Sequence, residues 1–234
     1  MIEKTKFYVV ATPIGNLGDM SFRAVEVLKS VDFILAEDTR VTKKLLQHYK
    51  IKNEIFSYNS FSSETKNNKI LEELAGGKII ALVSDAGTPT ISDPGFKIIS
   101  QIIENLGNKV EIIPIPGPSA LITALSISGI SSARFTFYGF FPRKKGRKML
   151  IEEIETSKKT SVFYESPHRL EKTLQLLSEN LSEQRVVFVA RELTKIYEEK
   201  IFGSPQKVFG FFKDHHQKIK GEFVIIVNGT NMIK

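Results

Sequence analysis

Cysteine is absent from the 234 residues, which excludes disulfides, thiolate nucleophiles and cysteine-based zinc or iron–sulfur sites. Tryptophan is absent too, and the aromatic content leans on 17 Phe. Histidine is scarce: His48, His168, His215 and His216 include no pair at the spacing of a helical metal-binding motif, so no metal site is expected. Long apolar runs are also missing. The run Phe7–Ala11, behind Met1-Ile2-Glu3-Lys4-Thr5-Lys6, is too short for a signal peptide, and no segment approaches a membrane-spanning length. A cytoplasmic protein without membrane contact is expected. Internal repeats and low-complexity linkers are lacking.

What is present suits a folded chain. Hydrophobic residues make up 41% and charged residues 25%, and the length accommodates two small α/β domains. The net charge of +7 is unevenly placed. Residues 1–116 hold 14 Lys+Arg and 14 Asp+Glu, whereas residues 117–234 hold 19 against 12. A lopsided positive field favours a polyanionic partner, although a surface that merely scatters lysine would look the same.

Short β-branched runs alternate with helical patterns through the first half. Strands are expected at Phe7–Ala11, Phe33–Ala36, Lys78–Ser84 and Val110–Ile113. Helices are expected from a Ser21 cap through about Lys29, and at Arg40–Tyr49, Asn67–Ala75 and Phe96–Leu106. Such alternation implies a mainly parallel sheet with helices on both faces. Pro114-Ile115-Pro116-Gly117-Pro118 reads as a hinge outside any sheet or helix, so the boundary is placed between domains 1–115 and 116–234. A helix at Ser119–Ile127 follows. The second half carries strand patterns at Phe135–Tyr138, Ser161–Tyr164, Val186–Ala190, Lys200–Phe202 and Glu222–Val227. Helical patterns fall near Lys148–Glu155, Leu170–Leu181 and Pro205–His215, giving a second α/β domain with a mixed sheet.

Three loops carry chemistry. Ala11-Thr12-Pro13-Ile14-Gly15-Asn16-Leu17-Gly18-Asp19 follows the first strand, where open α/β sheets bind ligands; it is neither a dinucleotide fingerprint nor a phosphate loop, and a tight βα connection would read alike. Ser84-Asp85-Ala86-Gly87-Thr88-Pro89-Thr90-Ile91-Ser92-Asp93-Pro94-Gly95 is longer and more polar than a turn requires. There Gly87 permits close backbone approach and Asp85 can accept from a cationic or hydroxylated ligand. Asp93 reads as a helix N-cap with Pro94 at the first helical position. At the hinge, Pro116-Gly117-Pro118-Ser119-Ala120 starts a helix whose free amides suit a carboxylate, with Ser119 as a plain cap the alternative.

Together the three loops resemble the tetrapyrrole-methylase-like, class III S-adenosylmethionine methyltransferases. The resemblance extends through Ala36-Glu37-Asp38-Thr39-Arg40, Phe140-Phe141-Pro142-Arg143, Phe163-Tyr164-Glu165-Ser166-Pro167-His168-Arg169, Ala190-Arg191-Glu192-Leu193-Thr194-Lys195 and Gly221-Glu222-Phe223. It is strongest to the members that methylate the ribose 2′-oxygen of a cytidine in 16S rRNA of the small ribosomal subunit. What it implies is S-adenosylmethionine held in a cleft between the two α/β domains, and a homodimer. Cofactor contacts carry over onto Pro13, Asp85, Ala86, Gly87, Ile91, Ser119 and Ala120, and in the second half onto Phe163, Tyr164, Arg191, Glu192 and Phe223. Two departures stand out. Tyr58-Asn59-Ser60-Phe61-Ser62-Ser63-Glu64 replaces a His/Asn/Glu-rich stretch of relatives, and the chain stops at Lys234, where many relatives continue.

Methyl transfer to an alcohol needs alignment and a proton acceptor. Asp38 or Glu165 is the expected base, with Arg40 and Arg169 gripping phosphate; the alternative is that Asp38-Thr39 caps a helix and Glu165 pairs with His168 or Arg169. Arg143-Lys144-Lys145-Gly146-Arg147-Lys148 places five cations in six positions after two phenylalanines, which suits RNA phosphates and unpaired bases. A class III enzyme acting on a small molecule or protein, and an RNA-binding assembly factor without catalysis, are the rival readings.

Overall fold

The computed structural model describes residues 4–59, 62–93 and 95–230. Pro94 and the pair Ser60-Phe61 of the departing stretch therefore lie outside the described residues. The chain divides into two compact units, one through Ser119 and the other from Ala120.

The first unit alternates strand and helix: β1 (Thr5–Val10), α1 (Phe22–Ser30), β2 (Phe33–Ala36), α2 (Thr39–His48), β3 (Ile55–Ser57), α3 (Glu64–Ala75), β4 (Ile80–Val83), α4 (Phe96–Leu106) and β5 (Val110–Ile115). The sheet runs β3-β2-β4-β1-β5, and every pairing is parallel. Period-two alternation sorts the strands onto two cores. Val10, Ile34, Ala36, Ala81 and Val83 pack against Ala24 and Leu28 of α1 and Leu46 of α2. Phe7, Leu35, Ile80 and Leu82 face Ile70 and Leu74 of α3 and Ile98 and Ile102 of α4. β1 and β4 are neighbours whose following helices lie on opposite faces, which makes their carboxyl ends a topological switch point of the sheet. Open α/β sheets bind ligands at such switch points.

Two expectations are corrected here. Pro114 is inside the sheet, since β5 continues to Ile115 with Pro114 opposite Val9. The position is tolerated because β5 is an edge strand, where a missing N–H faces outward. Asp93 is not the N-cap of α4. That place belongs to Gly95, with φ 122° and ψ −22°, a backbone open to glycine alone. A Cβ there would sit 2.7 Å from Leu82 Cδ2, so the loop enters α4 pressed against the core. The short edge strand β3 was not expected from the sequence; three residues carry too little alternation to register.

The second unit contains α5 (Ala120–Ile127), β6 (Phe135–Phe140), α6 (Arg147–Thr156), β7 (Thr160–Glu165), α7 (Pro167–Asn180), β8 (Val187–Arg191), β9 (Glu199–Gly203), α8 (Pro205–Asp214) and β10 (Phe223–Val227). Its sheet is mixed, in the order β6-β7-β10-β8-β9, with β6 and β7 parallel and the other pairs antiparallel. Phe141, Phe163, Phe212, Phe223, Ile225 and Val227 fill its main core with Leu150, Leu170 and Leu174. A buried guanidinium staples the far end: Arg185 donates to the Glu155 carbonyl at 2.7 Å and to Asn228 Oδ1 at 3.3 Å.

Candidate active site

The site in the first unit begins where β1 and β4 end. Thr12 and Gly87 form an isolated antiparallel bridge, with N···O distances of 2.9 and 3.0 Å in the two directions. Buried hydroxyls lock it: Thr12 Oγ1 donates to the Ser84 carbonyl at 3.0 Å, and Ser84 Oγ to the Gly87 carbonyl at 3.1 Å. Gly87 has φ 84°. The third loop is tied in by Thr88 Oγ1, which donates to the Pro118 carbonyl at 3.1 Å, and by the Ala11 amide donating to the Ile115 carbonyl at 3.2 Å. The three loops singled out in the sequence are thus one bonded constellation. Thr12 and Ser84, which hold it together, are the first polar residues after two buried strands, and that position was the signal available for finding them.

Carboxylates gather beside the bridge. Asp85 Oδ1 accepts the Asp38 amide at 2.9 Å, joining the ends of β4 and β2. Asp38 caps α2, accepting the Arg40 amide at 2.9 Å and pairing with the Arg40 guanidinium at 2.6 Å. Hydrogen bonds from Arg40 hold the Asp38 carboxyl down at about 2. Glu37, quoted in the sequence motif but given no role there, is pushed upward from the ordinary carboxylate range by burial first, then by Asp85 and Asp38. Three carboxyl groups thus gather at the ends of β2 and β4, and Glu37 is the one displaced upward by its neighbours. A ligand carrying a sulfonium and an ammonium suits this donor set. Pro13 is buried in the first loop, while Ala86 and Ile91 are exposed along the second and Ser119 is half-buried in the third. Thr90 and Ser92 both have positive φ, 74° and 63°, so the second loop stores strain of the kind found at binding sites.

In the second unit the expected residues separate by face. Phe163 and Phe223 are buried side chains of the core, which withdraws those side chains from a ligand. Tyr164 lies on the opposite face of β7; its hydroxyl accepts the Leu121 amide at 3.2 Å, and its ring meets Phe137 and Phe140 edge-on. Glu165 is enclosed. It takes the Ser166 amide at 2.8 Å, the Thr173 hydroxyl at 2.6 Å and Arg169 Nη2 at 2.7 Å. Arg169 is in turn spent on Glu165 and the Phe141 carbonyl, 2.8 Å away. The pair orients the start of α7, which leaves Glu165 badly placed as a base and Arg169 badly placed for phosphate. Arg191 donates to the Lys220 carbonyl at 3.0 Å and pairs with Glu199 at 3.5 Å. Glu192, at φ 50°, accepts Lys195 at 2.8 Å and the Glu222 amide at 3.0 Å.

The cationic run divides as well. Arg143, Lys144 and Lys145 are exposed between β6 and α6, and Lys148 is exposed in the first turn of α6, 3.8 Å from Glu152. Arg147 instead folds back, donating to the Pro142 carbonyl at 2.9 Å above the Phe141 ring. Among the described residues no group of three or more His, Asp or Glu could hold a metal ion, and no helix is long and apolar enough to cross a membrane.

Comparison with known proteins fits this geometry. The family model for tetrapyrrole (corrin/porphyrin) methylases matches residues 6–207. A protein of Bacillus subtilis (strain 168) named ribosomal RNA small subunit methyltransferase I is 48% identical, with 96% of this chain and 75% of that protein covered. Its namesake in Escherichia coli O157:H7 is 45% identical, covering 96% of this chain and 78% of that one. Among solved structures, the methyltransferase CobJ superposes with a TM-score of 0.68 at 15% identity, over 97% of this chain and 95% of its own. The cobalt precorrin-4 methyltransferase CbiF gives 0.66 at 16% identity, over 94% of each chain; these two show the fold. Fold and site together define a methyltransferase built of two α/β units. The chain belongs to the tetrapyrrole methylase family, and its methyl donor is S-adenosylmethionine.

Proposed function

We propose that this methyltransferase acts on RNA of the small ribosomal subunit, and that the acceptor is the ribose 2′-oxygen of a cytidine in 16S rRNA. The carrying observation is that relatives 42–48% identical over 95–97% of this chain bear the name ribosomal RNA small subunit methyltransferase I. The exposed cations Arg143, Lys144, Lys145 and Lys148 support an RNA acceptor. In this reading the protein works in the cytoplasm, as a pair of identical chains.

Bound S-adenosylmethionine supplies an electrophilic methyl on a sulfonium. The chain's own residues hold and align. Asp85, Ala86 and Gly87 present one carboxylate and a closely approachable backbone, Pro13 and Ile91 add apolar contact, and the Ser119–Ala120 start of α5 offers amides to a carboxylate. Tyr164, Arg191 and Glu192, with the backbone of Phe163 and Phe223, are the contributions proposed from the second unit. Of the two carboxylates expected as a base, Asp38 is the reachable one, and Arg40, paired with it, is exposed, so a phosphate can approach the outer side of its guanidinium. Arg40 also keeps Asp38 anionic, so its carboxylate can orient the hydroxyl and accept its hydrogen bond.

The test is labelled S-adenosylmethionine with small-subunit particles from cells lacking the protein, followed by mapping of the methylated ribose. Label on a single cytidine 2′-oxygen is the expected result; label on a base, on protein, or on nothing refutes the reading. Asp38→Asn should lower turnover at least tenfold with donor affinity preserved, and an unchanged rate would remove Asp38 from the chemistry.

A further inference from the structure

Helix α4 carries apolar side chains on both its inner and its outer side. Ile98 and Ile102 fill the core of the first unit. On the outside, Phe96 is 74% and Ile103 59% exposed, and these residues stand two turns apart on one stripe. Half-buried Ile99 and Ser100 lie between them, and Ile91, in the loop before the helix, is also exposed. A surface helix ordinarily turns polar residues outward. A contiguous exposed apolar stripe marks a contact surface.

The charges along the stripe identify the partner. Lys97 and Glu104 are both exposed, seven positions apart along the same flank. Among the described residues neither takes part in an ion pair. Two copies of α4 laid antiparallel about a two-fold axis near Ser100 bring Phe96 of each against Ile103 of the other. The same operation sets Lys97 against Glu104, twice. Ser100, the smallest side chain of the stripe, falls on the axis and lets the helices close. A symmetric contact must be complementary to itself, and this stripe is. An RNA surface would instead call for an excess of cations, whereas this flank carries one charge of each sign.

We propose that the outer face of α4 is the contact between two copies of this chain, paired antiparallel through Phe96, Ile99 and Ile103 and held in register by Lys97 with Glu104. The proposal rests on the reading of the protein as a pair, and it adds which surface forms the pair and in what orientation. The loop that carries Asp85 and Gly87 leads directly into α4, so the contact would also brace the strained residues Thr90 and Ser92.

Charge exchange tests it by sedimentation of the full chain. Wild type should sediment as a dimer. Lys97→Glu places two acids opposite two acids, and Glu104→Lys two bases opposite two bases. Each single variant should weaken the dimer roughly ten- to a hundredfold in low salt. Mixing the two single variants should restore a dimer, because the heterologous pair again sets opposite charges together, and the double exchange within one chain should restore it as well. Ile103→Asp should leave monomer alone, with an unchanged circular dichroism spectrum confirming the fold. A wild-type monomer would refute the paired reading itself. A wild-type dimer indifferent to all four variants would leave that reading intact and overturn the assignment to α4. Weakened single variants that fail to recombine would overturn the antiparallel register.

Discussion

At the scale of single residues, Glu37 and Asp38 are adjacent carboxyls with opposite displacements, and the signs yield opposite consequences. Asp38 is held low by Arg40, so its contribution to stability is present above its ordinary range and fades as pH falls toward 2. Glu37 is held high by burial and by two neighbouring acids. It therefore favours the folded state only while protonated, and that contribution is lost as pH rises through its displaced value. Glu37→Gln should accordingly raise the melting temperature at pH 7, with the gain shrinking on acidification and gone below the ordinary carboxyl value of 4.5. The same change should weaken S-adenosylmethionine about tenfold, corresponding to about 1.4 kcal/mol, and weaken S-adenosylhomocysteine less, because the latter lacks the sulfonium charge. Calorimetry with both ligands, beside thermal melts from pH 4 to pH 8, checks both halves. A lower melting temperature at pH 7, or equal losses for the two ligands, would show that Glu37 does not serve the cation.

Among the elements, α4 depends on how the chain enters it. Gly95 begins the helix in a conformation closed to other residues, against Leu82. Gly95→Ala should cost about 2–3 kcal/mol, combining positive-φ strain with displacement of a packed leucine; urea unfolding measures it, and a loss below about 0.5 kcal/mol would mean the loop relaxes freely. That entry was hidden in the sequence. Asp93-Pro94-Gly95 spells an N-cap followed by a first-turn proline, and nothing local discloses that the chain must cross Leu82 at that point. Elements with a clear apolar pattern were legible: β2 and α4 fall at the expected bounds, and Ser21 caps α1 as expected, its hydroxyl oxygen accepting the Ala24 amide. Pro114 misled because proline excludes a central strand but not an edge, and edge status is settled by strands far away in sequence. The site was legible as three loops and illegible as a network. Asp85 could be picked from its loop, but its bond to the Asp38 amide spans 47 residues of sequence. Glu165 and Arg169 were singled out as motif residues with a structural pairing as the alternative, and the structure has that pairing, Glu165 being enclosed by Arg169 and Thr173.

For the whole molecule, the informative quantity is where the +7 charge resides. The first half is balanced in charge, so the excess that the proposed RNA acceptor would meet belongs to the second. Within the second unit the structure separates cations already used from cations available. Arg147, Arg169, Arg185 and Arg191 are tied to carbonyls or carboxylates, whereas Arg143, Lys144 and Lys145 project from the turn before α6. Each phosphate neutralised on a single strand contributes roughly 0.7 to the slope of log affinity against log salt. Changing Arg143, Lys144 and Lys145 together to Ser should therefore flatten that slope by about two, while donor affinity stays as in wild type. Arg147→Ser should behave differently: a loss of stability from the abandoned Pro142 carbonyl and Phe141 ring, with a slope change well below one. Binding titrations with small-subunit RNA over 50–300 mM salt distinguish the two. Equal effects on the slope would mean that Arg147 leaves its carbonyl when RNA arrives, and no effect from the triple change would move the RNA contact to another face of the molecule.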